Sequence, residues 1–258
     1  LTYSSYLKLD ELLSLQKPVS DGPEHDETLF IIVHQVYELW FKEMLHELDF
    51  LKGLLERDED MRAQHTLKRV LTILKVVVAQ IDVLETMTPL EFLTFRERLE
   101  SGSGFQSFQF RELEFLLGMR NAAALTRYPA ESEARRLLER RMAEPSLWDA
   151  FLHYLAGKGH DVPRPLLARD RSGVVREAPE LHPLLLDLYR RDPIVRALCE
   201  RMVDLDEGFQ EWRYRHVKMV QRTIGTRRGT GGSEGAAYLM TTLNQPFFPD
   251  LWAIRTEL

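Results

Sequence analysis

The chain is nearly free of cysteine. Cys199 stands alone among 258 residues, which excludes an intrachain disulfide and a cysteine-rich zinc site and suits a reducing compartment. Long apolar runs are missing as well. Nothing approaches the roughly 18 consecutive apolar residues that a membrane-spanning helix requires. The opening Leu1-Thr2-Tyr3 has neither the basic nor the apolar stretch of a secretory signal. It also lacks an initiator Met, so residues upstream of Leu1 are expected. Positive charge is in deficit: 34 Lys and Arg against 40 Asp and Glu leave a net charge of −6. No global attraction to nucleic acid or to an anionic membrane follows from such a balance, although a local basic patch can still take a small anion. Internal repeats, low-complexity stretches and the apolar–polar alternation of strands are absent too. With 44% hydrophobic and 29% charged residues, the composition is that of a globular protein with a substantial core.

What is present is helical spacing, almost throughout. Leu29, Ile32, Val33, Val36, Trp40, Met44, Leu48, Leu51 and Leu55 recur at three- and four-residue steps and predict a long helix from about Asp26 to Arg57. A second long helix is predicted to start after Asp192, with Pro193 in its first turn, and to run to about Ile224 with Gly225 as its C-cap. A third covers about Arg62 to Glu85. Shorter helices are expected from Thr88-Pro89 to Leu99, from Phe105 to Leu117, and near Gly235–Leu243. Residues 129–190 read as short helices broken by Pro145, Pro163, Pro165 and Pro183. Residues 157–179, rich in Gly, Pro, Arg and Asp, are expected to be a loop or insertion. The whole predicts one all-α domain over residues 1–258, a bundle built on two or three long helices.

Four features carry possible chemistry. His34 lies in the apolar run Phe30-Ile-Ile-Val-His34-Gln35, one turn after Phe30 and on its face. It is either a satisfied core histidine or a pocket residue with Phe30 as an apolar wall. His216 lies in Trp212-Arg-Tyr-Arg-His216-Val-Lys-Met-Val. A single imidazole on a rigid helix with partly apolar neighbours suits an axial haem ligand and not zinc, which needs three or four ligands. A packed histidine is the plainer alternative. The flanking Arg213, Arg215, Lys218 and Arg222 form either a solvated face or partners for haem propionates. Gly225-Thr-Arg-Arg-Gly229-Thr230-Gly231-Gly232-Ser233-Glu-Gly235 concentrates glycines whose N–H groups can approach an anion closely; otherwise it is a connector. Phe92 and Arg96 share a helix face ahead of Ser101-Gly-Ser103-Gly104-Phe105-Gln106-Ser107, and a guanidinium beside an aromatic ring can clamp a carboxylate; a plain surface arginine is the commoner case.

Other chemistries fall away. Gly231-Gly-Ser233-Glu-Gly235 matches a nucleophile-elbow pattern, but a helix precedes it and no histidine follows it. Glu43-Met-Leu-His46 is half of a di-iron site whose second Glu-x-x-His does not exist in the chain.

Taken in order, the motifs Leu-Thr-Tyr3-x-x-Tyr6-Leu, Phe-Ile-Ile-x-His34-Gln, Glu38-Leu-Trp40, Phe95-Arg96, Ser-Gly-Phe-Gln-Ser, Trp212-Arg-x-Arg-His216 and Arg-Gly229-Thr230-Gly231-Gly232-Ser resemble the tryptophan 2,3-dioxygenase family over nearly the whole chain. The resemblance implies a cytoplasmic haem b enzyme that inserts both atoms of O2 across the indole C2–C3 bond of L-tryptophan, giving N-formyl-L-kynurenine. It implies His216 as the iron ligand, His34 as the acceptor for the indole N–H, and Phe30 and Phe92 as walls of the indole pocket. Arg96 is implied to pair with the substrate carboxylate, and Thr230 to contact the carboxylate or ammonium end. Ser103 and Gly104 are implied to lie at the haem edge. Tyr3 and Tyr6, within a segment 1–20 exchanged between subunits, are implied to reach a neighbour's pocket in a homotetramer built as a dimer of dimers. Some relatives carry Tyr where Phe92 stands, which would remove one hydroxyl near the carboxylate, and residues 157–179 match poorly. An indoleamine 2,3-dioxygenase-like enzyme of broader specificity, a non-catalytic haem-binding sensor and a cofactor-free interaction protein are the alternatives.

Overall fold

The computed structural model describes residues 1–227, 229 and 236–258, with the side chains of 237 and 238 outside that description. Those residues contain helices and no strand. Two short helices, α1 (Tyr3–Leu7) and α2 (Leu9–Leu12), bury none of their residues. Three long helices then make the frame: α3 (His25–Glu56), α4 (Asp60–Leu84) and, much later, α11 (Pro193–Ile224). Their ends follow the cap logic of the sequence. Asp192 accepts from the amides of Ile194 and Val195 ahead of Pro193, filling donors that a helix start leaves unpaired.

Residues 57–59 turn α3 back onto α4, and the register is pinned by polar ties. Tyr37 donates its hydroxyl to the Val77 carbonyl, Gln80 donates to the Val33 carbonyl, and Arg69 pairs with Glu47 at 2.6 Å. Helix α11 lies alongside α4 and runs in the same direction. Gly208 faces Leu74 and Arg215 pairs with Asp82 and Glu85. A Cβ on Gly208 would come within 2.6 Å of Leu74 Cδ2, so glycine permits this close crossing. Met44, Leu48, Leu51 and Leu54 of α3, Leu67, Val70, Leu74 and Ile81 of α4, and Leu198, Met202, Leu205 and Phe209 of α11 form one core. The combined registers bring His216 to the height of the Phe30–His34 turn.

Shorter helices close the bundle. They are α5 (Pro89–Arg96), α6 (Phe108–Leu117), α7 (Glu133–Ala143), α8 (Leu147–Gly157), α9 (Arg164–Leu167), α10 (His182–Arg191), α12 (Ala236–Met240) and α13 (Pro249–Ala253). Helix α5 is opened by a Thr88–Glu91 capping box. Beyond Arg96 the helix expected to reach Leu99 tightens into a 3-10 turn over Glu97–Leu99. The single helix expected over Phe105–Leu117 is two pieces. A 3-10 turn spans Gly104–Gln106, and Ser107, extended, caps α6 by accepting from the Phe110 amide at 3.2 Å. Pro165 and Pro183 lie in the first turns of α9 and α10 and so start helices where breaks were expected, because a first-turn proline surrenders only an N–H that has no helical partner.

Residues 157–179 contain α9 and are tied to the body. Arg169 pairs with buried Asp149 at 2.7 Å, Arg120 donates to the Arg171 carbonyl, and Val175 N donates to the Gly118 carbonyl at 3.0 Å. Gly118 ends α6 with φ 105°, and a Cβ there would strike Val175 Cγ2 at 2.5 Å. Only glycine satisfies both the left-handed turn and the close packing.

Candidate active site

One stripe of α3 carries Phe30, His34, Tyr37, Glu38 and Phe41, spaced by whole turns. One stripe of α11 carries Trp212, His216, Met219, Val220 and Thr223. Both stripes face a cavity of about 250 Å3, with Phe92 and Arg96 of α5, Ser103 to Phe105, and Phe110, Arg111 and Glu114 of α6 completing much of its wall. A single water needs only about 10–15 Å3 on this measure, so the space suits an organic ligand.

The two histidines are held differently. On one side His34 packs against Phe30, ring centres 4.1 Å apart. Phe30 in turn meets Phe92 at 5.7 Å and Phe95 at 5.5 Å. His34 Nδ1 lies 2.7 Å from the Phe30 carbonyl oxygen. A carbonyl only accepts, so Nδ1 carries the proton and Nε2 keeps a free lone pair. Burial lowers the His34 pKa, and the Phe30 carbonyl and Glu38 oppose that shift without overcoming it. On the other side His216 stacks on Trp212, ring centres 5.0 Å apart and planes within 17°. Trp212 is wedged by Phe110 at 4.8 Å and meets Tyr37 and Phe41 edge-on at 6.4 Å. Burial, reinforced by the charge of a protonated His34, pushes the His216 pKa down to about 4. The cavity thus holds two neutral imidazoles at neutral pH, each set by its own aromatic cluster. Among the described residues no group of three His, Cys, Asp or Glu could hold a metal ion.

The family model for tryptophan 2,3-dioxygenase matches residues 1–156 and 176–258. The chain belongs to the tryptophan 2,3-dioxygenase family. The unmatched stretch lies within the Gly- and Pro-rich segment noted above. Among similar curated proteins, the tryptophan 2,3-dioxygenase of Herpetosiphon aurantiacus is 60% identical over all of this chain and 98% of its own length. Those of Anaeromyxobacter sp. strain K and Caulobacter vibrioides are 57% and 44% identical, again over the whole chain, covering 96% and 98% of the relatives.

Of the residues singled out in the sequence, the fold brings Phe30, His34, Phe92, Arg96, Ser103, Gly104 and His216 to one cavity, and Gly229 of the glycine-rich loop lines it too. Thr230 lies outside the described residues. Tyr3 and Tyr6 are exposed, at 75% and 70%, and line no part of this chain's cavity. The basic cluster around His216 is mostly tied within the protein. Arg213 is buried, donating to the carbonyls of Thr242 and Gln245 and to Glu114. Arg215 and Arg222 pair with residues of the α4 end, and Lys218 is exposed and has no ion pair among the described residues. Sequence reasoning passed over Arg111 and Glu114, because an Arg and a Glu three apart on a short helix look like an ordinary surface pair.

Proposed function

We propose that this chain is a haem b enzyme that cleaves the indole C2–C3 bond of L-tryptophan with O2, both oxygen atoms entering the product N-formyl-L-kynurenine. The observation that carries the reading is the pair of neutral histidines delivered by α3 and α11 to one aromatic-lined cavity. The wall fits haem: His216, a neutral imidazole on a rigid helix flanked by Trp212, Met219 and Val220, would hold its iron. When bound, haem iron supplies the O2 chemistry that no side chain can.

The remaining roles belong to the protein. Nε2 of His34 accepts the indole N–H, since Nδ1 is committed to the Phe30 carbonyl. Phe30 and Phe92 exclude water from the ring, Arg96 pairs with the substrate carboxylate, and Thr230 bonds the carboxylate or ammonium end. Ser103 and Gly104 border the haem edge. Gripping the substrate at both ends holds the reacting carbons in position, an orientation effect. The exposed apolar residues Leu1, Tyr3, Tyr6, Leu13 and Leu15, on and around two short helices that bury nothing in their own chain, support a segment 1–20 exchanged between subunits of a homotetramer, a dimer of dimers. Action in the cytoplasm completes the reading.

The test is the absorption spectrum of the reduced protein with and without L-tryptophan, followed by product analysis. A histidine-ligated haem band, perturbed by L-tryptophan and followed by N-formyl-L-kynurenine, is expected. His216→Ala should lose that band, and His34→Ala should keep it while losing turnover. A haem band without product indicates a sensor, comparable turnover of tryptamine or D-tryptophan indicates an indoleamine-type enzyme, and a protein that stays colourless with added haem overturns the proposal.

A further inference from the structure

The chemistry proposed above leaves Arg111 of the cavity wall without a task. Arg111 and Glu114 lie three residues apart on α6 and both line the cavity. Arg111 Nη1 donates to Glu114 Oε2, and Glu114 Oε1 accepts from Arg213 Nη2 at 3.4 Å. The three side chains are 13%, 5% and 4% exposed. Two guanidinium groups therefore share one carboxylate in a buried setting and leave one positive charge over.

The surplus can be assigned to one of the two. Arg213 is fully engaged: besides Glu114 it bonds the Thr242 and Gln245 carbonyls and Met119 Sδ, and it lies over the Phe247 ring at 4.8 Å. Among the described residues Arg111 Nε is buried and finds no hydrogen-bond partner. A buried cationic donor without an acceptor is rare in native proteins and needs a reason. A ligand anion supplies one, and the planar fork of arginine suits a carboxylate.

The position of Arg111 chooses between the carboxylates available. Through Glu114 this arginine is joined to Arg213 of α11, the helix that carries His216. Arg111 thus belongs to the His216 side of the cavity. Arg96 shares α5 with Phe92, on the Phe30–His34 side. We propose that Arg111 seats a propionate of the bound haem, with Glu114 holding its guanidinium in place. This rests on the haem reading of the cavity and adds to it a named anchor for the porphyrin's charged edge.

The test compares haem with its dimethyl ester, which has the same iron and ring but no carboxylate. Wild-type protein and Arg111→Met are each loaded with either porphyrin, and loss to excess apomyoglobin is followed by absorbance. The wild type should lose the ester on the order of 10-fold faster than haem, the discrimination expected of a charge-assisted pair. In Arg111→Met the two rates should converge while the histidine-ligated spectrum persists. Arg111→Lys, which keeps the charge without the fork, should fall between.

Equal retention of both porphyrins by the wild type overturns the proposal without any variant, so it stays testable even if Arg111→Met fails to fold. Unchanged discrimination in Arg111→Met overturns it too. So does a variant altered only in its preference for L-tryptophan over tryptamine, which would give Arg111 to the substrate. Wild-type protein that takes up neither porphyrin refutes the haem reading itself, an outcome distinct from these.

Discussion

Asp206 should be among the most sensitive positions outside the cavity, and the structure allows its cost to be worked out. Its side chain is fully buried on α11. Oδ2 accepts from the backbone amides of Phe247 and Phe248 at 2.9 and 3.0 Å and from Trp252 Nε1 at 3.0 Å, and Oδ1 accepts from Gln210 at 3.2 Å. The carboxylate thereby fastens the C-terminal segment to the long helix. In Asp206→Asn the amide oxygen can replace Oδ2, so its three donors keep an acceptor but lose its charge, and Gln210 must turn its amide to accept where it now donates. A hydrogen bond to a charged group contributes about 1.5–3 kcal/mol and a neutral one about 0.5–1.5. Two buried amides and one part-exposed indole then lose about 2–3 kcal/mol together. Asp206→Ala leaves both amides without any acceptor and opens a void, so it should cost about 4 kcal/mol or more. Urea unfolding measures both. Hydrogen exchange locates the damage, which should concentrate at Phe247 and Phe248 and spread to Thr242 and Leu239 in the cavity wall. An Asparagine variant within about 0.5 kcal/mol of wild type, the range of an ordinary surface change, would refute the reasoning.

Three further outcomes are expected. Arg96→Ala should raise KM for L-tryptophan by about 2–4 kcal/mol in binding terms, as for a truncated buried charge pair; an unchanged KM removes Arg96 from the carboxylate. Gly208→Ala should destabilise by about 1–2 kcal/mol, since overpacking against Leu74 outweighs the better helix propensity of alanine. Leu74→Ala should relieve most of that cost, and additivity of the two changes within about 0.5 kcal/mol counts against the contact. Asp149 is raised by burial but held below the usual carboxylate range by Arg169 and Ser146, so its stabilisation is full above the ordinary aspartate pKa and is lost as pH falls through the lower folded value. Asp149→Asn should therefore cost about 2–4 kcal/mol at neutral pH and progressively less toward acid; a gap that does not change with pH refutes the ion pair.

The sequence by itself determined the helical class, the long helices and most of their ends. These are local matters. Three- and four-residue spacing states which side chains share a face, and Asp192-Pro193 and Thr88-Pro89 state where helices start. It also placed Phe30 with His34 and Phe92 with Arg96. Periodicity does not say what a face meets, so both a core histidine and a pocket histidine remained compatible with His34 and His216, the core reading being the plainer. The tertiary structure decided that. The pairing of α3 with α4, and of α4 with α11 through the Gly208–Leu74 crossing, turns both stripes toward one cavity. Tertiary structure also separated the arginines. Arg213 is drawn into bonds with residues some 30 and 100 positions away in the chain, and Arg111 is left lining the cavity with a buried donor unused. No local pattern carries that distinction, because it depends on which distant carbonyls and carboxylates fold into reach.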